Sequence, residues 1–226
     1  MSNTEPAFPE FEATQVPSSR APLISLVIRA SLFAFALMVV SICGRSATPM
    51  GASAETTREC NGIGFPDHIE VQGALLTLNG LALRTASVFQ VSLYVAALYV
   101  AEPSNDPRAI LESSAPNELI LQFTREVSAS ELRKSLQEGF AKNSPRHPPA
   151  LEEGLKQLSG WAADVKSGQR ITFIRTPGRG MQVDINGIVK GTIAGDGFAK
   201  TFMSIWLGDN PRTPELKSGL LGAPCG

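Results

Sequence analysis

The residues best suited to do chemistry are a guanidinium and a phenol. Arg84 stands in LALRT, between residues that read as core, and Tyr94 stands on the second face of the extended run that follows. An Arg turned into an apolar cavity is costly unless an anion or a hydrogen-bond acceptor compensates it. A carboxylate or phenolate ligand would do so, because the forked donors of Arg match such an anion and Tyr adds one O–H beside them. The alternative puts Arg84 on an edge strand in water, with Tyr94 packed in the core.

Other candidates are weaker. His68 and His147 lie beside prolines or turn residues, have no nucleophile in sequence reach, and read as surface histidines. Asp184 and Asp196 flank the last hairpin and could form a carboxylate pair, but strand-end and helix-cap roles account for them more simply. The chain has no GxSxG and no P-loop, and Gly178-Arg179-Gly180 lacks the strand-to-helix setting of a phosphate cradle. With 2 His, 3 Cys and no CxxC or HxxxH, a Cys/His zinc site has too few ligands, so neither a metal nor another cofactor is expected. The 20 Lys+Arg and 21 Asp+Glu give a net charge of -1 with no basic run, which argues against nucleic acid as a partner.

A chain of 226 residues, 18% charged and 43% hydrophobic, fits one globular domain plus an appendage. The appendage is N-terminal. Residues 1–22 are polar and Pro-containing, and an apolar stretch then runs from Leu23 to Cys43, broken by Arg29. Ala30 to Ile42 reads as the h-region of a secretory signal, with Arg20 and Arg29 as its positive flank and Ala52-Ser53-Ala54 as an A-x-A cleavage site. Residues 1–54 are therefore expected to be a polar leader plus signal peptide, and 55–226 a periplasmic or secreted domain. The alternative is an uncleaved anchor, which the Leu23–Cys43 stretch is long enough to provide if Arg29 snorkels. Cleavage after Ala54 leaves Cys60 and Cys225, one near each end, and export favours a disulfide between them over two free thiols.

The elements that must position Arg84 and Tyr94 begin with strands. Ile69 to Leu78 is β-rich and meets Asn79-Gly80, which predicts a hairpin turn with Leu81 to Arg84 as the returning strand. From Val88 to Ala101 both alternating faces are apolar, as in a central strand covered on both sides. A short helix around Asp106 to Ser113 leads to a strand at 119–127. Ser128 or Ser130 caps a helix with Leu132, Leu136 and Phe140 on one stripe, and a second helix runs from about Ala150 to Val165. RITFIRT, MQVDI and IVKGTI form an antiparallel meander with a turn at Asn186-Gly187. The last long helix is bounded by Asp196 as cap and Gly208 as stop, and its expected buried side is Phe198, Thr201, Phe202, Ile205 and Trp206. The class is α+β, a large antiparallel sheet covered by a helical layer.

The runs LNGLALRTASVFQVSLYVAALYV, LILQFTREVSASELRKSLQEGFAKN and VDINGIVKGTIAGDGFAKTFMSIWLGDNPRTPELKSGLLG resemble the chalcone isomerase fold, specifically its bacterial chalcone isomerase-like branch, from about Gly64 to Gly222. The resemblance implies an open-faced β-sandwich. It also implies one of two activities: ring closure of a chalcone by an intramolecular lyase, or non-catalytic binding of a fatty acid whose carboxylate is held by a strand Arg and a Tyr. Arg84 matches the Arg of both branches. Tyr94 stands about where the isomerases place a Thr and looks like the Tyr of the binders. The isomerases' helix Tyr falls near Leu132, their Asn near Gly139 and their Thr/Ser pair near Phe198 and Ala199, so the polar set that would position an enone is replaced by apolar residues. The expectation is a monomeric binding protein for a fatty acid or similar amphipathic carboxylate, clamped by Arg84 and Tyr94, with Leu132, Leu136, Phe140, Phe198 and Phe202 as candidate pocket lining. A weak isomerase and an envelope structural protein without a ligand are the alternatives.

Overall fold

The computed structural model describes residues 56–86, 91–144, 146 and 148–225. The expected leader, its cleavage site, the first residues of the long strand and His147 lie outside them. Strands β3 (His68–Val71), β4 (Ala74–Ala86), β5 (Val91–Val100), β6 (Asn117–Phe123), β7 (Arg170–Thr176), β8 (Gly180–Ile185) and β9 (Ile188–Ile193) pair in sequential order into one antiparallel sheet. A separate hairpin, β1 (Thr57–Cys60) and β2 (Ile63–Pro66), stands beside it. The helices are α1 (Pro107–Glu112), α2 (Ala129–Asn143), α3 (Pro149–Trp161), α4 (Asp196–Leu207) and α5 (Pro214–Leu220). Among the described residues no helix is long and apolar enough to cross a membrane.

The two apolar faces of β5 go to two cores. Tyr94, Ala96, Leu98 and Val100 join Leu119, Leu121 and Phe123 of β6 under the helices. Val95, Ala97 and Tyr99 pack on the opposite side with Leu76, Leu78, Ile120, Cys60 and Phe65, where the small hairpin closes over them. The Tyr99 hydroxyl donates to the Pro66 carbonyl at 2.9 Å, and Cys60 is joined to Cys225 by a disulfide with Cα atoms 5.8 Å apart.

Several local expectations are corrected. The Asn79-Gly80 dipeptide makes no turn, and β4 runs straight through it with a bulge against β5 between Leu78 and Gly80. The turn lies earlier, at Gln72 (φ 52°) and Gly73 (φ 81°), and it divides the expected Ile69–Leu78 strand in two. What Asn79 and Gly80 do instead is seat α5. The buried Asn79 amide donates to the carbonyls of Ser104 (3.0 Å) and Leu220 (2.7 Å) and accepts from the Ser104 N–H at 2.7 Å. At Gly80 a Cβ would lie 2.1 Å from the Gly219 carbonyl oxygen, so only glycine lets strand and helix approach this closely. Helix α5 itself was not anticipated; Thr213 caps it and Pro214 opens it. Helix α3 ends at Trp161, because Val165 instead bridges to Val127. Gly195, rather than Asp196, is the N-cap of α4, and the Asp196 carboxylate accepts from the Gly178 N–H at 2.9 and 3.1 Å.

Candidate functional site

Between the sheet and the helices lies a largely apolar cleft. Its floor is Tyr94 of β5, Leu121 and Phe123 of β6, Ile171 and Phe173 of β7, and Val183 and Ile185 of β8. Its roof is Leu132, Ser135 and Leu136 of α2, Leu158 and Trp161 of α3, and Ile205 and Trp206 of α4, with Arg212 entering from the loop before α5. Helix α2 is fixed over the sheet by a capping box between Ser128 and Glu131, and its i, i+3, i+4 spacing turns Leu132, Ser135 and Leu136 inward. The enclosed cavity is about 60 Å³, room for a few waters, within a slot whose unfilled space, mouth included, is about 610 Å³.

The polar groups gather around Tyr94. Its oxygen accepts from the Trp206 Nε1–H at 3.3 Å, which leaves the phenol proton to donate. Burial pushes the phenol pKa up, opposed by the Trp206 hydrogen bond and by the charges of Arg212 and Arg84, so the group is a neutral donor at ordinary pH. Arg212 donates from Nη2 to the carbonyl and hydroxyl of Ser135 and lies 3.7 Å from Glu138, with its side chain only 16% exposed. Its backbone N–H donates to the Ile205 carbonyl at 2.7 Å, which folds the loop back over the end of α4.

Arg84 is directly opposite Tyr94 across β4 and β5, so the two side chains share the helix-covered face. The Arg84 guanidinium donates to the Thr85 carbonyl, half-buried beside the cleft and outside its wall. Leu132 and Leu136 line the cleft, whereas Phe140, Phe198 and Phe202 stand behind it. Phe140 stacks on Phe198 at 5.2 Å, and Phe202 meets the wall residue Phe173 at 4.4 Å. The positions matched to isomerase polar groups are apolar here as well: Gly139 is pressed against Ile205, and Ala199 is fully buried. Arg212 and Ser135 escaped the sequence reading, and Trp206 entered it only as a buried residue of the last helix. The available signal was a cation in the Pro-Arg-Thr-Pro turn directly behind the aromatic helix. His68 is exposed, its ring Nδ1 3.2 Å from the Thr77 hydroxyl, and Asp184 accepts from the Gly187 N–H at 2.7 Å as a turn residue. Among the described residues no cluster of three or more His, Cys, Asp or Glu stands together.

A sequentially wound antiparallel sheet with a helix-roofed cleft, polar at one end, defines the class of protein: a chalcone isomerase-type open-faced sandwich. The chalcone isomerase-like family model matches residues 57–222, and the chain belongs to that family. A search of curated proteins finds no significant match. Among solved structures, the chain is similar to the crystal structure of an Arabidopsis thaliana fatty-acid-binding protein, with a TM-score of 0.60 and 15% identity over 74% of this chain and 96% of that one. At that identity the likeness shows a shared fold.

Proposed function

We propose that the protein binds a fatty acid or a similar amphipathic carboxylate, with the acyl chain in the apolar cleft and the carboxylate at its Tyr94 end. The observation that carries this reading is the one-ended polarity of the cleft. A phenol donor, an indole N–H and the Arg212 guanidinium meet at one end of walls that are otherwise aliphatic and aromatic, with Arg84 beside them. Each CH2 sheltered there contributes about 0.8 kcal/mol, and the anion meets fixed donors. Catalysis is disfavoured because no polar group stands at Leu132, Gly139, Phe198 or Ala199 to hold an enone. The fatty-acid-binding activity of the structural neighbour supports the same choice.

The cleft is narrower than an acyl chain requires, so binding must part the roof from the sheet. The half-buried Leu132, Leu136 and Trp161 are the wall residues with room to move. The Cys60–Cys225 bridge supports residence in an oxidising compartment, in keeping with export and removal of residues 1–54. Displacement of a fluorescent fatty acid tests the binding site. Arg84→Met should weaken binding by about 2–5 kcal/mol, and Tyr94→Phe by about 1–3 kcal/mol. Arg212→Met should weaken it as well, since that cation lies on the cleft wall itself. Unchanged affinity in all three variants would remove the carboxylate from this end, and absence of binding by the wild type would leave the cleft a structural core.

A further inference from the structure

The cleft runs across the strands rather than along them, and it reaches the edge of the sheet. Leu121 of β6, Ile171 of β7 and Ile185 of β8 are successive cross-strand partners on its floor, and the next partner in the same line is Ile188 of β9. Tyr94 and Phe123 form the neighbouring line at the β5 end, two residues along the strands. The roof follows the same direction. Trp206 is bonded to Tyr94 over β5, whereas the Trp161 indole lies over β9, where a Cβ on Gly191 would be 2.8 Å from its Cζ2. Cross-strand partners project from one face of a sheet, so Ile188 extends the apolar floor one strand beyond the last wall residue. β9 is the edge strand, and Ile188 is 61% exposed while its partner Ile185 is 8% exposed. A lone exposed isoleucine is ordinary; this one continues the floor of a cleft, with an indole over the same strand. Val189 is as exposed as Ile188, but it stands opposite Asp184 and projects from the other face.

We propose that the tail of a bound acid leaves the cleft at the β9 edge, between Ile188 and Trp161, and that the distance from Tyr94 to this edge selects long-chain acids. The inference rests on the fatty-acid-binding function proposed above. Four strand spacings and one alternate-residue step place Ile188 about 20 Å from Tyr94. An all-trans chain with C–C bonds of about 1.5 Å advances about 1.25 Å per carbon, so about 16 carbons cover that distance. A shorter chain stops over Ile171 and Ile185 and leaves the β9 end of the cleft unfilled. A longer one emerges past Ile188, where each further methylene stays in water and adds nothing to affinity.

Displacement of a fluorescent fatty acid from the full chain by octanoate, dodecanoate, hexadecanoate and eicosanoate tests the proposal. Affinity should rise about fourfold per added methylene as far as hexadecanoate and then level off, with eicosanoate no tighter. Ile188→Asn should weaken hexadecanoate about fivefold and leave octanoate unchanged, because only the longer tail reaches β9. Val189→Asn, on the same strand but facing away, should change neither. Both positions are exposed, so both variants keep the core intact. A plateau already at dodecanoate, a continued climb to eicosanoate, or an Ile188→Asn effect that is absent, equal for octanoate, or matched by Val189→Asn would overturn the exit at β9 while leaving a fatty acid in the cleft. Failure of every acid to bind would overturn it together with the function on which it rests.

Discussion

Glu118 shows how far one side chain can depart from its solution behaviour. It lies on the face of β6 away from the helices, opposite Tyr99 of β5 and Ile174 of β7, and is only 7% exposed. Burial raises its pKa to about 7, with Arg170 opposing and Asp184 reinforcing the shift. Because the folded state holds this proton more tightly than the unfolded chain does, the stability it confers is fully present below about pH 4.5 and is lost as pH rises through about 7. The span corresponds to about 3 kcal/mol. Glu118→Gln should flatten that decline and be the more stable protein at pH 8; parallel pH profiles in urea unfolding would contradict the assignment. At this scale the sequence was only partly legible. It offered Arg84 and Tyr94 as candidates but left open whether they share a face, which the register of β4 and β5 supplies, and it gave no means of ranking one Arg against another. The buried, incompletely paired guanidinium sought at Arg84 occurs at Arg175, whose RITFIRT context reads as an ordinary half-exposed strand. Burial of an end residue depends on which helix covers it, here α1, and no local pattern carries that information.

Among the elements, those with strong periodicity formed where expected. β5 has its two apolar faces, α2 its Ser128 cap, and β7 to β9 their turn at Asn186-Gly187, where φ values of 54° and 80° suit the dipeptide. Asn79-Gly80 carries the same letters and does something else. In a turn glycine supplies positive φ, whereas in β4 it supplies missing volume, and only the docking of α5 distinguishes the two uses. Gly80→Ala should therefore destabilise the protein by about 2–4 kcal/mol, because the clash is with backbone that cannot rotate away. The same substitution at Gly62 meets no atom within 4 Å and should cost less, although its φ of 74° is itself unfavourable for alanine. Similar urea midpoints for the two variants would show that α5 can back away from β4.

For the molecule as a whole, the α+β class and the helix-covered antiparallel sheet followed from the order of elements, while the second layer, hairpin β1–β2 with its Cys60 and Phe65 packed over Tyr99, was not derivable from that order. That layer is held by the Tyr99–Pro66 hydrogen bond and by the disulfide, which spans 165 residues. Opening so long a loop should cost about 2–5 kcal/mol and, by loosening the unfolded chain, steepen the denaturant dependence. Urea unfolding of Cys60→Ser/Cys225→Ser against the oxidised protein measures both. An unchanged midpoint would mean that packing of the hairpin alone secures the two ends.

The bridge also determines how the molecule carries mechanical load. Tension applied near residues 56 and 225 passes from one end to the other through sulfur, so the sheet between them bears none of it. With the bond intact only the few residues outside the ring can lengthen. Once it is reduced, a chain of 165 residues, worth roughly 600 Å at full extension, becomes available to unravel. The fold is thus shielded from pulling as long as its surroundings remain oxidising, and its extensibility is governed by thiol chemistry rather than by the strength of its strands.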